Sequence, residues 1–270
     1  MLKKIFIIIV LLNLFFQMAC VKDSAAVNRN DSRYNALVIR VREKKRIQSL
    51  FDAIRQGNIN EVKKYFDSGM AIDVRNRDNQ TALYYAISRG KYNIAKFLIK
   101  KGADVNSLST GNGVTPLYAA YSVSSAKILL ENNANIEIGD ITSGVTPLIR
   151  AVEDDNVELL EFLISKGANV NAKNKYGATA LMIAARNLQL NILKILVKYG
   201  ATINAITDYD ISIAQNGTGF STALDYAMVG VTSPPYDQSE VIKYLQSIGA
   251  KTFKELYPRG LPGRRSVTYQ

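Results

Sequence analysis

A six-residue motif returns five times along this chain and limits what the chain can fold into: TALYYA (81–86), TPLYAA (115–120), TPLIRA (146–151), TALMIA (179–184) and TALDYA (222–227). Successive Thr residues lie 34, 31, 33 and 43 positions apart. Each copy is followed by a Gly-Ala or similar pair, at Gly102-Ala103, Asn133-Ala134, Gly167-Ala168, Gly200-Ala201 and Gly249-Ala250. A degenerate copy runs from Gln48 to Gly69-Met70, whose glycine lies 33 residues before Gly102. Units of this size cannot each bury an apolar face alone, so six of them must stack, with end units that differ from the rest.

The chemistry inside one unit predicts two short helices. In the fourth copy Thr146 stands where a hydroxyl N-cap belongs, and Pro147 occupies the first helical position, where its missing N–H is harmless. Leu148, Ile149, Ala151 and Val152 form the apolar face of a first helix, and Val157, Leu159, Leu160, Phe162, Leu163 and Ile164 that of a second. Gly167 is placed for a left-handed C-terminal cap, after which Asn169 to Asn171 lead into the next turn.

Residues 44–251 carrying this pattern resemble the ankyrin repeat family, whose unit is a β-turn followed by two antiparallel helices with a T-P-L-H-x-A-A signature. The resemblance implies an all-α solenoid of about six helix-turn-helix units joined by β-turn or hairpin loops. The repeats fall at about 44–76, 77–109, 110–140, 141–173, 174–206 and 217–251. The chain departs from the signature at its His, replaced by Tyr84, Tyr118, Ile149, Met182 and Asp225. Repeat three is three residues short between its helices, at Ala120 to Ala126. Repeat six is reached through a long insertion (206–221) and has a long inter-helix loop (228–240).

The N-terminus reads as an export signal. Lys3 and Lys4 precede an apolar run from Ile5 to Phe16, too short to span a bilayer as a helix, which needs about 20 residues. The run ends at Gln17-Met18-Ala19-Cys20. This segment resembles a bacterial lipoprotein signal, which implies cleavage after residue 19 and lipidation of Cys20, the only cysteine in the chain. Gln17 departs from the aliphatic residue usual three positions before that cysteine. A soluble export signal cut after Ala19 and an uncleaved anchor remain as alternatives. Residues 20–43 are expected to form a lipidated N-terminus and tether, and 252–270 a basic C-terminal tail. The basic, partly aliphatic stretch 36–50 reads either as a capping helix or as a surface that rests on anionic lipid. The expected location is a bacterial cell envelope, anchored to the outer membrane in preference to the inner, with a secreted or periplasmic protein as the alternative.

The formal charge of +11 is confined to the flanks: residues 1–48 hold ten Lys and Arg against three acidic residues, and 251–270 five against one. Residues 49–250 balance at 19 of each sign, which argues against a nucleic-acid groove on the folded body. The chain contains no His, which removes His-dependent nucleophile systems and most zinc sites. No cofactor, metal or catalytic residue is expected. Glu153-Asp154-Asp155 reads as a solvated loop, since it has neither metal-ligand spacing nor a partner glycine. The Gly-rich stretches at Asn112-Gly113 and Asn216 to Gly219 lack the Lys of a phosphate loop.

What remains is recognition by a monomer that binds an unidentified protein partner without catalysis. The family's partners lie across a concave face of turn tips and first helices, which implies Arg77, Asp78, Gln80, Arg89, Asn112, Lys175, Tyr176 and Arg186 as candidate contacts. The competing class is an envelope structural or lipid-associated protein whose basic flanks bind anionic membrane.

Overall fold

The computed structural model describes residues 32–207, 221–229 and 238–258. Contacts divide the chain into two units, Met1–Ser49 and Leu50–Gln270. Cys20 and the interiors of the two long insertions, 208–220 and 230–237, lie outside the described residues. In the first unit, helix α1 (Ser32–Gln56) begins well inside the segment assigned to a tether, and its last residues, from Leu50, belong to the second unit.

The second unit is a stack of helix pairs. The end of α1 and α2 (Ile59–Asp67) make repeat one, and α3 (Ala82–Ser88) and α4 (Tyr92–Lys100) make repeat two. Repeat three has a single helix, α5 (Val123–Leu130), followed by α6 (Pro147–Glu153) and α7 (Val157–Ser165) in repeat four. Helices α8 (Ala180–Arg186) and α9 (Leu190–Lys198) form repeat five, and α10 (Ala223–Val229) and α11 (Gln238–Ser247) repeat six. Like packs on like: α8 lies against α6 and α10, while the second helices α5 and α7 touch, as do α9 and α11.

The capping chemistry of the motif is realised. The hydroxyls of Thr81, Thr146 and Thr179 accept from the backbone N–H three residues on, at Tyr84, Ile149 and Met182. All the helix-one residues named in the fourth copy are buried, and Leu160 and Leu196 are completely so. Phe51 and Tyr85 pack edge to face at 5.3 Å, joining repeats one and two.

Repeat three departs from the expected helix pair. Thr115 still caps the N–H of Tyr118 at 3.2 Å, but only a turn follows, with Ala119 N–H shared between Thr115 and Pro116 carbonyls at 3.3 and 3.2 Å. The three missing residues leave no room for a second turn, because Ser122 and Ser125 form a reciprocal capping box that starts α5 at once.

A side-chain ladder ties the units together. Residues four positions after each helix-end glycine or its equivalent, Asp73, Asn106, Glu137, Asn171 and Asn204, accept the N–H of Asp104, Asn135, Asn169, Thr202 and Lys251 in the next unit at 2.7–3.1 Å. The three asparagines also donate back, to the carbonyls of Asn133, Gly200 and Gly249. The insertion before repeat six is clipped at its ends, where Thr207 N–H reaches the Ser221 carbonyl at 3.0 Å and Ser221 N–H the Thr207 hydroxyl at 2.9 Å.

The folded end reaches past residue 251. Thr252 and Glu255 form a capping box for a short helix α12 (Phe253–Leu256), and Phe253 is buried. Asp225, at the position of the signature His, accepts the Phe253 N–H at 2.8 Å and the Thr222 hydroxyl at 2.9 Å. That residue therefore seats the final cap on repeat six, and residues 252–256 are a terminal lid on the core rather than part of a basic tail.

Candidate partner-binding surface

The turn tips are small hairpins, bridged at Arg75 and Thr81, Ser109 and Val114, and Lys173 and Thr179. An Asx residue organises the first and the third of these. Asn76 Oδ1 accepts from Asp78 and Gln80 N–H at 3.0 and 2.9 Å, and Asn174 Oδ1 from Tyr176 and Ala178 at 3.0 and 2.9 Å. Buried Asp140 does the same for Thr142, Ser143 and Val145. Burial opposes its ionisation, but the hydrogen bonds from Ser143, Val145 and Thr142 outweigh that and hold its carboxyl below the usual range. Adjacent tips are stitched by backbone bonds: Thr110 N–H to Asn79, Ile141 to Asn112, and Lys175 to Ser143 carbonyls, at 3.0, 2.9 and 2.8 Å.

The candidate residues divide on this strip. Arg77, Asp78, Tyr176 and Arg186 are exposed. Arg89 is exposed too, with its guanidinium 5.2 Å from the Tyr85 ring centre. Asn112 presents its side chain while its carbonyl serves the next tip. Gln80 and Lys175 are engaged within the fold: the Gln80 side-chain carbonyl takes the Asn76 amide at 2.9 Å, and Lys175 Nζ donates to the Ile141 carbonyl.

The first helices carry a cluster that the candidate set did not include. Arg150 of α6 lies 5.9 Å from the Tyr118 ring of repeat three. It is held by Asp154 through Nε at 2.9 Å and Nη2 at 2.7 Å, with Glu153 at 3.6 Å. The acidic run leaves Asp154 and Asp155 exposed in the turn after α6, but its side chains are engaged: Glu153 and Asp154 clasp Arg150, and Asp155, at φ +52°, accepts the Gln189 amide at 3.0 Å. Burial works against the Arg150 charge, but the hydrogen bond and charge of Asp154, with Glu153 beside it, outweigh it and keep it cationic.

Burial pushes the phenols of Tyr84 and Tyr118 upward, so both are neutral donors at ordinary pH. Tyr121, 58% exposed, adds to the effect on Tyr84. Burial also raises the Glu153 carboxyl against the opposing pull of Arg150 and Arg186. These residues make one aromatic and charged strip from repeat two to repeat five. The sequence signal that marks Tyr84 and Tyr118 is their occupancy of the signature His position. Nothing local marks Arg150, whose aromatic neighbour lies 32 residues earlier.

Among the described residues, no group of three or more metal-ligating side chains occurs, and no helix is long and apolar enough to cross a membrane.

Comparison with known proteins agrees with this geometry. Residues 50–140 and 124–207 match the family model described as ankyrin repeats (3 copies). The chain belongs to the ankyrin repeat family, whose repeats serve as protein-binding scaffolds. It is similar to ankyrin repeat protein FPV222 of Fowlpox virus, 27% identical over 135 residues, which are 50% of this chain and 18% of that protein. An ankyrin repeat protein of Rickettsia felis is 35% identical over 131 residues, 47% of this chain and 43% of the relative. The mouse B-cell lymphoma 3 protein homolog is 26% identical over 134 residues, 50% of this chain and 20% of the relative. The matched segment thus spans less than half of each of these relatives.

Proposed function

We propose that this protein is a non-catalytic, monomeric ankyrin scaffold, tethered to a bacterial envelope membrane through lipidated Cys20, that captures a partner protein on its turn-tip and first-helix face. The observation that carries the binding face is the strip Tyr84, Tyr118, Tyr121, Arg150, Glu153 and Arg186, where aromatic area and fixed charge coincide over consecutive units. Arg and Tyr supply both area and directional hydrogen bonds, the usual makings of an interface anchor. Glu153 is raised by burial although Arg150 and Arg186 are near, so a cationic group on a partner would find it undercompensated. The tether rests on the apolar run, Ala19 and the single Cys20.

The binding face is tested by affinity capture with three forms of the full chain. Unaltered protein and a Lys96→Ala, Glu161→Ala variant on second helices should retain the same partner in stoichiometric amount; a Tyr118→Ala, Arg150→Ala variant should lose it with its unfolding transition intact. Loss from the second-helix variant alone would refute the assigned face. The tether is tested by mass: a Cys20→Ala chain should lack the acyl increment and leave the detergent phase, and unchanged mass and partitioning would refute lipidation.

A further inference from the structure

We infer that residues 35–45 of helix α1 form a contact surface for an anionic lipid bilayer, separate from the lipid anchor and from the protein-binding face. Leu37, Ile39 and Val41 are 58%, 66% and 44% exposed, an apolar display with no cover among the described residues. Leu37, Val38 and Val41 fall within an arc of about 100° on the helix, and Lys44 and Lys45 continue the same side one turn later. Ile39 lies off that stripe. Residues 32–49 carry six basic side chains against the single acidic Glu43, which lies 3.8 Å from Arg46. Arg40, Arg42, Lys44 and Lys45 are exposed.

The chemistry selects the occupant. A second copy of the helix would bring two strongly positive segments together, which is repulsive. An acidic protein face would answer the cations but leave the aliphatic groups wet unless it also offered matching apolar hollows. A bilayer interface answers both: phosphates take the cationic heads, while the aliphatic side chains and the stems of Lys44 and Lys45 lie along the acyl boundary. Geometry agrees, and this one point rests on the tethering reading. The eleven residues between Cys20 and Ser32 reach at most roughly 40 Å, so an acylated Cys20 would keep the helix within range of the membrane surface.

The chain contains no Trp, so an indole introduced at one position reports on that position alone. The full chain carrying Cys20→Ala, which removes acylation, is prepared with either Val41→Trp or, as a control, Tyr176→Trp. Each is titrated with phosphatidylcholine vesicles with and without phosphatidylglycerol. The expected result is a blue shift and protection from an aqueous quencher for Val41→Trp only, only with phosphatidylglycerol, and lost at high salt. Adding R40E, R42E, K44E and K45E should weaken the anionic partitioning by about a hundredfold or more.

Three results would overturn the inference. One is an unshifted indole at position 41 in chains that sediment with anionic vesicles; another is an equal shift on neutral vesicles. The third is a concentration-dependent shift without lipid, which would assign the surface to a second copy. Lipidation is read separately, from the mature mass of the unaltered chain, so either reading can fail without the other.

Discussion

Asn171 reads the backbone of the following unit: its Oδ1 accepts the Thr202 N–H at 2.7 Å, and its Nδ2 donates to the Gly200 carbonyl at 3.2 Å. The side chain thereby pairs a donor and an acceptor left over where helix α9 ends and the next turn begins. Asn106 and Asn204 make the same two-bond contact one unit before repeat three and at the last interface. Asp73 and Glu137, at the equivalent positions, only accept.

Asn171→Ala should therefore destabilise the array by about 1–3 kcal/mol, the sum of two hydrogen bonds in a partly solvated setting. Asn171→Asp keeps the acceptor and sets a carboxylate against the Gly200 carbonyl, so it should not rescue the loss. A denaturation midpoint for Asn171→Ala equal to that of the unaltered protein would contradict the ladder.

Leu160 and Leu196 are both fully buried on second helices. Replacing either by Ala should cost about 2–5 kcal/mol through lost burial and a residual cavity. Lys96→Ala, on the exposed side of α4, should stay within about 0.5 kcal/mol. Chemical denaturation distinguishes the two, and comparable losses would mean that the helix faces are misassigned.

Asp140 and Glu153 set opposite pH dependences. The Asp140 carboxyl is depressed in the fold, so its contribution is complete above the unfolded-state value of about 3.9 and is lost as pH falls through the lower folded value. Asp140→Asn should flatten the acid limb of a melting-temperature profile there. Glu153 is raised, so its charged form costs stability at neutral pH and the cost disappears as pH falls through the raised value. Glu153→Gln should melt at or above the unaltered protein at pH 7, with the difference vanishing below the carboxylate range. A lower melting temperature at pH 7 would show that its pairing with Arg150 and Arg186 outweighs burial.

Gly167 has φ +90° with nothing within 4 Å of an added Cβ, so Gly167→Ala should cost about 1–2 kcal/mol from backbone conformation alone. Asn133 holds the corresponding place in repeat three at φ +66°, and Asn133→Gly should match or exceed the unaltered stability. Thermal melts of the two variants should shift in opposite directions or, for Asn133→Gly, not at all. A loss from Asn133→Gly as large as that from Gly167→Ala would count against the conformational explanation.

Much of the repeat architecture was legible because its determinants are local. Thr146 beside Pro147, the 3.6-residue spacing of Leu148, Ala151 and Val152, and the glycine after α7 each act within one or two turns of chain, and period and phase follow from them. The same locality defined which side of α4 or α9 is wet. At the candidate surface it identified Arg77, Tyr176 and Arg186 as exposed, since none belongs to the apolar pattern.

Most of the remainder depends on groups one repeat apart, about 30 residues in sequence yet in direct contact. Lys175 looks like a free surface cation until the tip of repeat four brings the Ile141 carbonyl to it, and Gln80 is absorbed by Asn76 inside its own hairpin. Arg150 gains the Tyr118 ring only when repeats three and four stack, and Asp225 gains the Phe253 N–H only when the final cap closes. Periodicity determined the unit and its inward face by short-range sterics and capping. The tertiary stack decided the partners of the polar side chains that reach into a neighbouring unit, because a hydrogen bond or ring contact depends on ångström-scale distances between units that the repeat spacing alone does not encode.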